Sequence, residues 1–191
     1  MASFLLVYGT SEGQTEAVAT HIARVLDDRG HSVTTENVTA GQVSSDIAAF
    51  DAILVGASIH MGKPQAAITS FVSEHVAELA TKPTAYFQIS LSSADPTGRE
   101  QAATYVDQFS ETTGWNPDRI GLFGGALRFS KYGFLKRLMM KQIAKRSLPD
   151  VDVSTDIEFT DWDEVSAYAS EVAAFVENRL CIQQEIDQRE S

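Results

Sequence analysis

Two rhythms of apolar and polar residues alternate along the chain. Phe4–Tyr8 is wholly apolar and stops at Gly9, as a strand buried on both faces does. From Thr15 to Arg29 the spacing turns helical: Val18, Ile22, Val25 and Leu26 share one face, and Gly30 ends the run. Ser32–Asn37 reads as a weaker second strand and Ala52–Ala57 as a strong third. Pro64 is placed to open a helix at its first turn, with Ile68, Phe71, Val72 and Val76 inward. Thr84–Ser90 is a fourth strand. Arg99–Thr113 is a helix with Ala102, Ala103, Val106 and Phe109 inward and Gly114 behind it. A fifth strand begins at Ile120–Phe123. Helical spacing then returns from about Phe134 to Ser147, and Thr155–Thr160 reads as a strand. A closing helix, Trp162–Leu180, is capped by Thr160 or Asp161 and carries Asp163 and Glu164 in its first turn. Its inner face is Val165, Tyr168, Ala169, Val172, Phe175 and Val176.

Strands alternating with helices predict an α/β fold, a doubly wound five-stranded parallel sheet covered by helices on both faces. In such a sheet the ligand lies at the carboxyl ends of the strands. The loops after strands one, three and four are therefore the places to look for chemistry.

The 191 residues suit one domain, expected over 1–180 with an insertion at about 126–150 and a tail at 181–191. The N-terminus lacks the basic start and cleavage site of a signal peptide, and no apolar run is long enough to span a bilayer. With Cys181 the single cysteine, no internal disulfide can form, and a reducing cytoplasmic setting is expected. No metal site is expected. The net charge of −11 is unevenly spread. Arg119–Pro149 holds eight basic residues and no acidic one, which leaves 7 basic against 26 acidic residues elsewhere, a balance of −19. An acidic, lysine-poor surface argues against nucleic-acid binding and suits a salt-rich cytoplasm.

The first loop, Thr10-Ser11-Glu12-Gly13-Gln14-Thr15, joins a buried strand to a helix start. Free N–H groups and a positive helix end favour an anion there, three hydroxyls can donate to it, and Gly13 permits close approach. The lysine of a P-loop and the spacing of a dinucleotide fingerprint are both absent. Taken alone, the loop is either a phosphate seat or a capped turn. The third-strand loop offers Ser58, Ile59, His60, Met61 and Gly62, able to lie against a flat ring. The fourth offers the small polar run Ser90, Leu91, Ser92 and Ser93, suited to a heterocycle edge. Phe134, leucines and methionines fall on one side of the basic segment and cations on the other, which suits a membrane surface or a flat anionic substrate. It equally suits a solvated helix packed on the sheet.

These loops resemble the flavodoxin family. The resemblance is closer to its protoporphyrinogen oxidases, the quinone-dependent protoporphyrinogen IX dehydrogenases. It is carried by Gly13-Gln14-Thr15, Val55-Gly56-Ala57-Ser58-Ile59 with Gly62, and Trp115-Asn116-Pro117-Asp118-Arg119. Gly125-Ala126-Leu127-Arg128 with Tyr132, Met140-Lys141 and Thr160-Asp161-Trp162 complete it. The resemblance implies a flavodoxin-like fold holding FMN, the phosphate on residues 10–15 and the ring between 58–62 and 90–93. It implies oxidation of protoporphyrinogen IX with a quinone as acceptor, in haem biosynthesis. It also implies a basic insertion near the fifth strand, with Arg128, Lys131, Lys136, Arg137, Lys141 and Lys145 meeting the substrate or the inner face of the cell membrane. The family pattern has a basic and an aromatic residue where His60 and Met61 stand. An electron-transfer flavodoxin and a general FMN quinone reductase are the alternatives.

Overall fold

The computed structural model describes residues 1–41, 43–127 and 156–190, with side chains described as far as Cys181. Five parallel strands form the central sheet: β1 (Ser3–Gly9), β2 (Ser32–Asn37), β3 (Ala52–Ser58), β4 (Thr84–Ser90) and β5 (Arg119–Gly124). Their spatial order is β2-β1-β3-β4-β5. Successive side chains of a strand point to opposite faces. On β1, Phe4, Leu6 and Tyr8 therefore enter one core layer, while Leu5 and Val7 enter the other.

Helices α1 (Gln14–Asp28) and α5 (Trp162–Glu190) close the first layer with Val18, Ile22, Leu26, Val165, Val172 and Val176. Helices α2 (Ala66–Glu74), α3 (Val76–Leu79) and α4 (Arg99–Thr113) line the other side with Ile68, Phe71, Leu79, Val106 and Phe109. A short antiparallel ribbon, β6 (Ala126–Leu127) with β7 (Ile157–Glu158), lies outside the main sheet.

Several expectations are corrected. Pro64 does not open α2. Gln65, whose ψ of 142° is not helical, is its N-cap, and its carbonyl accepts from Ile68 and Thr69 N–H, which leaves Pro64 one residue before the cap. Val76 belongs to a separate turn of helix, since α2 stops at His75. Ala103 is exposed. Asp161, not Thr160, caps α5: its carboxylate accepts from Asp163 N–H (3.0 Å) and Glu164 N–H (3.1 Å). That helix continues past Leu180 to Glu190, through residues of good helix propensity with no Gly or Pro among them. The helix expected at 134–147 and the basic residues of the insertion from Arg128 onward lie outside the described residues.

Candidate functional site

The loops after β1, β3 and β4 meet at one sheet edge. Together with the β5–β6 corner they form a cleft enclosing about 120 Å³. Thr10, Glu12, Gln14, Thr15, Ser58, Ile59, His60, Ser90 and Leu91 line it. Ile89, Gly125, Ala126 and Leu127 line it too and carry no polar signature that would have shown them.

The first loop is shaped by Gly13, whose φ of +93° lies in the left-handed region. Its N–H donates to the Thr10 hydroxyl at 3.0 Å. No side chain caps α1. Thr15 is fully buried, and its hydroxyl has no hydrogen-bond partner among the described residues. An unpaired buried hydroxyl is costly and calls for an explanation. An anion seated at the helix start would supply one, since its oxygens accept from the hydroxyl and from the uncapped end of α1. No lysine or arginine is among the described lining residues, and Glu12 adds an acid there. An anion would be held by neutral donors and the helix dipole.

Gln14 does something the sequence did not reveal. Its amide donates to the Thr160 hydroxyl at 2.8 Å, and that hydroxyl donates to the Gly124 carbonyl at 2.7 Å. The chain fastens the start of α1 to the end of β5. A Cβ on Gly124 would sit 2.4 Å from the Phe159 carbonyl oxygen, so only glycine fits at that corner. Gly125 N–H donates to Ser90 O (3.1 Å), and Phe159 N–H to Gly125 O (2.9 Å).

In the second loop, His60 and Lys63 exchange both backbone hydrogen bonds, at 2.9 and 3.1 Å. Met61 and Gly62 between them have φ of +52° and +79°, the signature of a tight turn of type I′. Met61 is fully exposed at its tip and outside the cleft, and Gly62 faces a neighbouring cleft instead. Gln65 holds the base of this loop. Its amide oxygen accepts from Ser58 N–H (3.2 Å) and its NH₂ donates to the Ser58 hydroxyl. Gly9 leaves room for it, since a Cβ there would come within 3.1 Å of that oxygen. Gln65 was missed because an isolated glutamine carries no signal.

In the third loop, Ser90 and Ser93 turn onto each other, hydroxyl to hydroxyl at 2.7 Å, with Ser93 N–H donating to Ser90 at 3.0 Å. Both are buried, so they shape the loop, and Ser93 does not line the cleft. Ser92 also lies outside the lining and faces Tyr105. Further along, backbone and side-chain hydrogen bonds from Thr97 hold the Asp95 carboxyl below the usual range. Ser11 is exposed beside the cleft. Arg119, at the other end of β5, pairs with Glu171 (3.0 Å) and lies over the Phe175 ring, a structural role.

Residues 5–153 match the family model described as a flavodoxin domain. The chain belongs to the flavodoxin family. Among flavodoxin-family relatives, an Escherichia coli K12 protein named protoporphyrinogen IX dehydrogenase [quinone] is 31% identical over 170 residues, 88% of this chain and 93% of that protein. A Leishmania major protein of the same name is 33% identical over 173 residues, 89% of this chain and 74% of that one. A solved flavodoxin from the domain Archaea superposes with a TM-score of 0.54 at 16% identity, over 92% of this chain and 99% of that one. At that identity the likeness concerns the fold.

Proposed function

We propose that this chain is an FMN-dependent protoporphyrinogen IX dehydrogenase that delivers electrons to a quinone. The observation that carries the reading is the similarity, over 88% and 89% of this chain, to two distant proteins of that one name. The cleft's own chemistry agrees with FMN. The unpartnered Thr15 hydroxyl, the uncapped start of α1 and the left-handed Gly13 are what a phosphate monoester needs.

When bound, FMN supplies the redox chemistry, accepting a hydride from the substrate and passing two electrons on. The protein supplies placement. Thr10, Ser11, Glu12, Gly13 and Thr15 would hold the phosphate through hydroxyls and backbone N–H groups. Gln14 would hold the loop in position through Thr160. Ser58, Ile59 and His60 would flank the ring on one side and Ser90 and Leu91 on the other, while Gly62, Ser92 and Ser93 would shape the loops behind them and Met61 stands outside the cleft. Among the described lining residues Glu12 is the one carboxylate, so they offer no carboxylate pair to act as acid and base.

Arg128, Lys131, Lys136, Arg137, Lys141 and Lys145 would meet an anionic membrane surface, where a quinone resides. The β6–β7 pairing supports this, because Ala126 and Leu127 line the cleft and the basic segment follows directly from them. Among the described residues no helix is long and apolar enough to cross a membrane. Contact with the bilayer would therefore be peripheral.

The test is turnover of protoporphyrinogen IX with menadione under anaerobic conditions, followed by porphyrin fluorescence. A rate no faster than free FMN gives would remove the reading. Exchanging Lys136, Arg137, Lys141 and Lys145 for Gln should reduce sedimentation with anionic liposomes, and unchanged sedimentation would remove the membrane contact.

A further inference from the structure

A second cleft opens beyond the His60–Lys63 turn, between α2 and α4. It holds about 540 Å³, within the range of small-molecule sites. Tyr105 and Phe109 give it an aromatic wall, and Lys63 and Glu111 are its charged residues. Tyr105 also backs the loops of the cofactor cleft. Its ring lies against Gly62, where a Cβ would come within 3.3 Å, and its hydroxyl is 3.5 Å from that of Ser92. The two clefts are therefore neighbours divided by one turn.

Lys63 is unusual in this chain. Outside the basic segment there are two lysines, Lys63 and Lys82. Lys82 donates to the carbonyls of Ala48 (3.1 Å) and Phe50 (2.6 Å) and closes a loop. The Lys63 ammonium is exposed and has no hydrogen bond or ion pair among the described residues. It serves no structural contact there, yet it lines an aromatic cleft on a chain whose residues outside 119–149 are strongly acidic. Such a surface repels anions, and a local cation is what an anionic ligand would need.

We infer that this cleft docks the carboxylate edge of the tetrapyrrole substrate, with a propionate on Lys63 and a pyrrole ring against Tyr105. The inference rests on the dehydrogenase reading. Both propionates of protoporphyrinogen lie on one edge of the macrocycle, so anchoring that edge leaves the opposite one free to reach across the turn. Glu111 opposes the same carboxylate, which gives the two charges opposite expected effects.

The experiment is binding of mesoporphyrin IX and of its dimethyl ester to the FMN-loaded protein, read by porphyrin fluorescence. An exposed ion pair predicts that Lys63→Gln weakens mesoporphyrin binding roughly two- to fivefold, with Glu111→Gln strengthening it by a similar factor. The dimethyl ester should respond to neither. Unchanged FMN affinity reports that each variant is folded. The inference is overturned if neither variant shifts mesoporphyrin binding, if both shift it in the same direction, or if the ester responds as the acid does. It is equally overturned if menadione occupies the cleft and competes with mesoporphyrin equally well in both variants. Failed turnover alongside the expected binding pattern would count against the dehydrogenase reading and leave the carboxylate cleft standing.

Discussion

Thr15→Val separates stability from cofactor affinity. The substitution replaces a hydroxyl by a methyl at nearly constant volume, in a side chain that is fully buried and has no hydrogen-bond partner among the described residues. A buried unpaired hydroxyl costs about 1–3 kcal/mol, and valine does not carry that cost. The apoprotein should gain about 1–2 kcal/mol, which for a chain of this size raises Tm by roughly 2–8 °C. In the loaded protein the same hydroxyl would donate to a charged phosphate oxygen, an interaction worth about 1.5–3 kcal/mol. Kd for FMN should rise roughly ten- to hundredfold. Calorimetric melting of the apoprotein and titration of FMN fluorescence quenching give the two readouts. The effects have opposite signs, which a merely structural threonine would not produce. A lower apoprotein Tm together with an FMN Kd within twofold of the parent would refute the phosphate assignment.

Three further substitutions probe the frame. Met61 holds a left-handed backbone at a fully exposed position, a conformation that costs a side-chain-bearing residue roughly 1–2 kcal/mol, so Met61→Gly should raise the urea midpoint of the apoprotein. Glu36 is raised by partial burial, but hydrogen bonds from Ser45 and Ser44 outweigh this and hold its carboxyl below the usual range. A depressed carboxylate stabilises the fold fully above the unfolded value of about 4.3 and loses its contribution as pH falls through the folded value. Glu36→Gln should therefore cost about 0.5–1 kcal/mol in denaturant titrations at neutral pH, and the difference should close as the solution is acidified below about pH 4. A Cβ on Gly56 would fall 2.2 Å from Cζ of the buried Phe87, so Gly56→Ala should lose roughly 1–3 kcal/mol by overpacking, and adding Phe87→Leu should restore part of it.

Elements with a single strong physical cause were readable from the sequence. Thr84–Ser90 is buried along its whole length, and its bounds agree with the reading. Arg99–Thr113 agrees at both ends, because Gly114 adopts the left-handed conformation (φ +74°) that stops the helix. The parallel sheet and the edge at which three loops meet follow from the alternation of strand and helix. Pairings distant in sequence were not readable. The contact of Gln14 with Thr160 spans 146 positions, and nothing local to either residue announces it. Ser90 and Ser93 were legible as small and polar, but their mutual hydrogen bond depends on the path of the chain around them. Ile89, Ala126 and Leu127 reach the cleft as apolar wall, which in sequence is indistinguishable from core. His60 and Met61 were placed against a ring, and the turn carries Met61 outward because its neighbours bond to each other across it.

FMN binding and the oxidation of protoporphyrinogen IX by the bound flavin can be read in one experiment. The most direct measurement mixes FMN-loaded protein, in excess and without oxygen or quinone, with protoporphyrinogen IX while following flavin absorbance and porphyrin fluorescence together. Converting the porphyrinogen to the porphyrin removes six electrons, and each flavin accepts two. Three flavins should be bleached for each porphyrin formed, and adding a quinone should restore the flavin colour. Porphyrin appearing at the uncatalysed rate while the flavin stays oxidised would contradict the dehydrogenase reading.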